Sequence, residues 1–275
     1  MSKPIKLIAL SALAALALTA CGAGGEGGAT ISEANKSDAA PTSAEVEASK
    51  ELNAPYNDFL KKYVTQQNGI NLVKYGSVTD ADHKALKDYV NTLSNTDTSE
   101  FTEDEIFAYW FNLYNAETVN VILDNYPVKS IRKINLKGPW DEPLLTVNGK
   151  KMSLNNIEHD TIRANYDEPR IHFAFNCASI GCPNLKMTAW EASTMDADLT
   201  KATQEYVASP RGVTVKDGKI IAAGIFDWYK EDFGNSEKDT LKFLADHATG
   251  AKKTALENAT EISKYDYDWD LNEPK

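Results

Sequence analysis

The chain has 275 residues, 42% of them hydrophobic, enough to bury the core of one large domain or two small ones; five Trp, twelve Tyr and nine Phe exclude a wholly disordered or collagen-like chain. With 29 Lys and Arg against 40 Asp and Glu, the formal charge is −11, so the basic field that nucleic-acid binding needs is missing. No segment reaches the roughly 18 consecutive apolar residues of a membrane-spanning helix.

The front of the chain is a targeting pattern. Lys3 and Lys6 precede an apolar run from Leu7 to Ala20, too short to span a bilayer and the right size for a secretory signal. The run ends in Leu18-Thr19-Ala20-Cys21, which resembles the lipobox of bacterial lipoproteins. That resemblance implies cleavage before Cys21 and acylation of its new N-terminus, and Gly22 after it favours delivery to the outer membrane on its periplasmic side. Several acyl chains on one Cys suffice for stable anchoring. Residues 22–50 are rich in Gly, Ala, Ser and Glu and carry no aromatic, so they read as a disordered tether. The expected organisation is a signal peptide at 1–20, lipidated Cys21 and tether at 21–50, and one globular domain at 51–275.

Within that domain, helical spacing is expected at Tyr56 to Tyr63 and at Asp80 to Leu93. The strongest helix runs from Glu103 to Asn125, with Thr102 and Glu105 as a capping box and Tyr126-Pro127 as the stop. Its apolar residues cover more than one face, which predicts a central, largely buried helix. Asn148-Gly149 marks a hairpin between Leu144 and Met152. Ser153 caps a helix to Arg163. Alternation of Ile171, Phe173 and Phe175 with His172, Ala174 and Asn176 predicts a strand over Arg170 to Asn176. A helix at Met195 to Ala208, a hairpin about Asp217-Gly218, and helices near Phe226 to Phe233 and Ser236 to His247 complete the expected set. Helices and hairpins without regular βαβ alternation indicate an α+β domain with a small sheet.

No dinucleotide fingerprint, phosphate loop, HExxH or GxSxG motif occurs, so no cofactor is implied. Asp266, Asp268 and Asp270 imitate the start of a calcium loop, but Leu271 stands where Gly is needed. Tyr265, Tyr267 and Trp269 alternating with these acids read instead as an edge strand. Trp110 and Trp140 read as core.

The chemistry concentrates between Ile157 and Leu185, which holds His159, His172, Cys177 and Cys182. The blocks WFNLYNAETVN, YPVKSIRKI, GPWD, SLNNIEHDTIR, EPRIHFAFNCASIGCPNL, SPRGV and YDYDWDLN, in that order, resemble the bacterial and plant family called domain of unknown function 547. The resemblance suggests a distant relation to papain-like or transglutaminase-like folds. The family often has Ser before the second Cys, where this chain has Gly181.

Three roles for the cysteines follow from the residues. An oxidising compartment and a four-residue gap favour a Cys177–Cys182 disulfide that pins the loop. Alternatively, Cys177 is a nucleophile, with His159 or His172 as base and Asn112 or Asn115 as a polar third member. On an extended strand His172 lies roughly 16 Å from Cys177, which makes His159 the less constrained base. The third reading is zinc held by His159, His172, Cys177 and Cys182. The corresponding functions are a lipid-anchored protein that binds a ligand or partner, and a thiol hydrolase or acyl/amide transferase acting on a peptide or cell-wall amide. Arg163 and Arg170 flank the region and read as ordinary salt-bridge partners.

Overall fold

Local capping chemistry sets the helix starts. The computed structural model describes residues 42–275; the expected signal peptide, Cys21 and tether residues up to 41 lie outside the described residues. Helix α1 (Ser43–Tyr63) opens with a Thr42–Glu45 capping box and buries Tyr56, Phe59, Leu60 and Tyr63 at helical spacing. It therefore takes in residues 43–50, which the composition assigned to the tether. Ser49 Oγ donates to Glu191 Oε2 (2.6 Å) and Asn53 Nδ2 to Glu191 Oε1 (3.1 Å), so the early turns have tertiary partners.

Helix α2 (Asp80–Ser94) is capped by Thr79 and packs Leu86, Tyr89, Val90 and Leu93. Helix α3 (Glu103–Asp124) has the expected Thr102–Glu105 capping box. Every residue from Phe107 to Ile122 is buried, which is why its hydrophobic pattern shows no single face. Between α1 and α2 lies an unexpected antiparallel hairpin, β1 (Val64–Gln67) and β2 (Ile70–Val73). Its turn is Asn68-Gly69, with φ of 52° and 77°. The same left-handed pair recurs at the two expected turns, Asn148-Gly149 between β3 (Leu145–Val147) and β4 (Lys150–Met152), and Asp217-Gly218 between β5 (Val213–Lys216) and β6 (Lys219–Ala223).

Helix α4 (Met195–Ala208) matches its expected bounds. The helix expected from Phe226 to Phe233 is shorter, α5 (Ile225–Trp228) followed by a 3-10 turn over Lys230–Phe233. Helix α6 (Glu237–His247) is capped by Ser236, and an unexpected α7 (Gly250–Asn258) follows. Strand β7 (Lys264–Asp266) adds in parallel to β6, making a three-stranded sheet. The result is the mixed α+β domain that the element pattern implied, with α3 at its centre.

Two apolar cores divide the domain. The first gathers α1, α2 and α3 with Phe175 and Trp190; the second gathers β5, β6 and α6 with Phe173, Tyr206, Phe226 and Phe233. The segment from Ile171 to Phe175 feeds both, Ile171 and Phe175 packing on the first and Phe173 on the second. Here the expected strand is absent. Pro169–Phe173 is a 3-10 turn, started by Glu168, whose side chain accepts the Arg170 N–H, and by Pro at the first position. All six residues from Ile171 to Asn176 are buried, so the alternation marked a change of partner chemistry rather than two faces of a sheet.

Candidate functional site

The seam between the cores opens into a cleft of about 390 Å³. Its walls are aromatic: Trp140, Trp228, Trp269, Tyr229 and Tyr267, with Tyr114 and Phe175 deeper. Trp228 and Trp269 stack at 5.5 Å, and Tyr267 lies 4.8 and 4.6 Å from their ring centres. Trp228 is 44% exposed; Trp140, expected as core, is partly buried, packing on the first apolar core and meeting Trp269 edge-on at 5.9 Å. The alternation of Tyr267 and Trp269 with acids thus places rings, rather than carboxylates, on the cleft.

The polar base of the cleft comes from three separate segments. Glu158 sits in a π-helical stretch, Asn156–Arg163, where the Ala164 N–H reaches back five residues to His159 O. Ser153 does cap its start, accepting the Asn156 N–H at 3.1 Å. Such wide turns recur at functional sites because they redirect side chains locally. His172 comes from the 3-10 turn, its side chain 1% exposed. Its Nε2 lies 2.6 Å from Asp232 Oδ2, and its Nδ1 lies 3.9 Å from Glu158 Oε1. A carboxylate accepts only, so the Nε2–H donates to Asp232 while Nδ1 faces Glu158.

Arg163 fixes Asp232 from the other side, Nε donating to Oδ2 (2.6 Å) and Nη2 to Oδ1 (2.9 Å), while Nη2 also reaches Glu231. Burial pushes the Asp232 carboxyl up, but the hydrogen bonds and charges of His172 and Arg163 outweigh it and hold it well below the usual carboxylate range. The salt bridge expected of Arg163 is real, and it orients the acid that orients His172. Arg170 is the simpler case, pairing with Glu168 and Asp196. Tyr229 stacks on the His172 ring at 4.2 Å. Burial, aided by the nearby Glu158 carboxylate, pushes the phenols of Tyr229 and Tyr114 up, so both stay protonated donors.

Cys177 and Cys182 are joined in a disulfide with Cα atoms 6.2 Å apart. Both line the cleft; Cys182 is 2% exposed and Cys177 only partly buried. The loop that carries them is fastened independently of the sulfurs. Asn115 donates to Ala174 O (2.9 Å) and accepts the Asn176 N–H (2.8 Å). Asn176 donates to Pro183 O and accepts the Ala178 N–H. Arg211 donates to Ile180 O and to Cys182 O, and Tyr206 to Gly181 O. The closing segment runs alongside, with Gly181 N–H on Asp268 O and Ile180 N–H on Asp270 O, both at 2.8 Å. A Cβ on residue 181 would stand 2.9 Å from the Asp268 backbone, so Gly181 lets the closing segment come this close.

The structure therefore brings Cys177, Cys182 and His172 to one cleft and leaves His159, Asn112 and Asn115 elsewhere. His159 contacts Arg163 through Nδ1 (3.1 Å), lies near Tyr229 and does not line the cleft. Asn115 spends its amide on backbone, as Asn112 does on Trp190. The extended-strand estimate that disfavoured His172 loses its premise, because no strand forms there and His172 and Cys177 line the same cleft. Glu158, Tyr229, Asp232 and Tyr267 were missed as site residues. Tyr267 lay within the YDYDWDLN block and Glu158 within SLNNIEHDTIR, but Asp232 and Tyr229 had no motif to mark them.

The family described as "Protein of unknown function, DUF547" matches residues 98–207, from the approach to α3 through nearly all of α4. That span carries Glu158, His172 and both cysteines, and stops before Arg211, Asp232 and Tyr267. No curated protein and no solved structure matches the chain.

Proposed function

We propose that this chain is a lipid-anchored protein of the bacterial envelope, held to the outer membrane through acylated Cys21 and facing the periplasm, whose cleft binds a cell-wall fragment. The observation that carries the binding reading is the cleft itself, aromatic walls around a few convergent polar groups at its base. Apolar faces of sugar rings and amide methyls pack on Trp140, Trp228 and Trp269, while hydroxyls and amides pair with Glu158, Asn155 and Asp141. The anchor reading rests on Leu18 to Cys21. Titration of soluble muropeptides should quench the cleft tryptophans saturably, and Trp269→Ala should weaken binding at least about tenfold. No quench at millimolar ligand would remove the reading. Separately, Cys21→Ala should release the protein from membranes; retention after a salt wash would mean another anchor.

A second reading has its own support: His172, oriented by Asp232, faces the cleft that holds Cys177. Once reduced, Cys177 would then serve as the nucleophile of an amide hydrolase or transferase, with His172 as base. In that case His172→Ala slows alkylation of reduced Cys177; an unchanged rate sinks this alternative.

A further inference from the structure

A structural disulfide should hold something that would otherwise move. The ring closed by Cys177 and Cys182 spans few residues, so by loop-entropy reasoning it constrains the unfolded chain less than a long-loop disulfide would. The loop is already held by Asn115, Asn176, Tyr206, Arg211 and the backbone of Asp268 and Asp270. The sulfurs, meanwhile, differ in a way that a pin does not require. Cys177 is partly exposed to the cleft, while Cys182 is buried and receives two donors. The Cys177 N–H lies 2.9 Å from Cys182 Sγ. The Tyr267 hydroxyl sits between the sulfurs, 3.0 Å from Cys182 Sγ and 3.1 Å from Cys177 Sγ, so the backbone donor is the one particular to Cys182 and the phenol can follow the charge onto it. Burial and the neighbouring tyrosines push the Tyr267 phenol up, so it remains a donor. Donors within reach of the buried Cys182 sulfur stabilise negative charge developing there, as an oxyanion hole does at oxygen.

We propose that the Cys177–Cys182 disulfide is a reactive two-electron oxidant for a dithiol substrate entering the aromatic cleft, with Cys177 as the attacked sulfur and Cys182 as the leaving group. A substrate thiolate attacks Cys177 Sγ; the new S–S bond forms as the Cys177–Cys182 bond breaks, and the electron pair passes to Cys182. That thiolate is stabilised by the Cys177 N–H and the Tyr267 O–H until it takes a proton from water. The second substrate thiol loses its proton and attacks the substrate sulfur of the mixed disulfide, expelling Cys177, which is protonated in turn. The substrate leaves as a disulfide, and its two electrons and two protons reside on Cys177 and Cys182. The loop's independent fastening lets the reduced protein keep its fold.

The inference stands apart from the ligand reading, because failure of thiol exchange leaves muropeptide binding untouched. The test uses the oxidised full-length protein under native conditions, with glutathione as trapping monothiol and dithiothreitol as dithiol. Samples are acid-quenched, alkylated and peptide-mapped so that Cys21 is scored separately. Glutathione should appear on Cys177 and not on Cys182. Dithiothreitol should open the bond about tenfold faster than in an oxidised peptide of residues 174–185, the worth of one charge-stabilising hydrogen bond. Tyr267→Phe, which keeps the ring's packing, should remove most of that advantage without lowering the melting temperature by more than a few degrees. Glutathione on Cys182, exchange no faster than in the peptide, or reduction only after unfolding would each overturn the proposal. Loss of the near-ultraviolet circular dichroism on reduction would do the same, since it would show the disulfide to be the pin.

Discussion

Glu117 is a carboxyl in the wrong solvent. It lies in the stretch of α3 that is buried all round, with Asn120 Nδ2 as its side-chain partner at 3.3 Å. Burial pushes its pKa from the ordinary 4.5 to about 7; Asp124 adds to the rise, while Asn120 and Lys87 oppose it. Because the folded value is raised, an unfolded chain ionises first. Stability is full below about pH 4.5 and falls as pH climbs toward the folded value, with the loss complete above it. At about 1.4 kcal/mol per pKa unit, the interval from 4.5 to about 7 makes the loss about 3 kcal/mol. Glu117→Gln keeps the amide contact and never ionises. Its stability relative to wild type should rise from near zero at about pH 4.5 to about 3 kcal/mol at about pH 8, or roughly 6–12 °C in melting temperature. Urea unfolding followed by tryptophan fluorescence across that range measures the difference directly. A difference that stays flat with pH, or a Gln variant less stable than wild type at about pH 8, would refute the assignment of a neutral buried acid.

Asp232→Asn removes the charge that His172 and Arg163 pair with, turns one of its two acceptor oxygens into a donor, and should cost about 2–3 kcal/mol at neutral pH. As the folded pKa is depressed, the wild-type advantage should be full above the usual carboxylate value and fade as pH falls through the lowered one, a trend read from denaturation midpoints. Gly181→Ala drives a Cβ into the Asp268 backbone and should lower stability by about 1–3 kcal/mol; an unchanged melting temperature would show that the closing segment yields freely. Deleting residues 22–50 removes the capping box of α1 and the Ser49–Glu191 bond, and should cost about 2 kcal/mol by thermal melting, where a pure tether would cost nothing.

Features set by neighbours in sequence were legible. The Thr102–Glu105 capping box, the Asn148-Gly149 and Asp217-Gly218 turns and the bounds of α4 depend on residues within a few positions of each other. The burial of α3 was also legible, since a helix apolar on every side has nowhere to go but the centre. Even the Cys177–Cys182 bond follows from a short gap between two sulfurs. What misled was the stretch from Ile171 to Asn176. Alternation identifies a strand only when one face meets water, and this stretch is enclosed on all sides, so its polar members mark partners in a packed seam. The early turns of α1 misled in the opposite sense, because their composition is that of a linker and their order comes from Glu191, well over a hundred residues away. The working geometry of the cleft was decided at the same range. Asp232 reaches His172 across 60 positions and Tyr267 reaches Cys182 across 85, and no local period encodes such a meeting. These pairs exist because two apolar cores close on one segment and leave its buried polar groups to find partners there, each unpaired one costing about 1–3 kcal/mol.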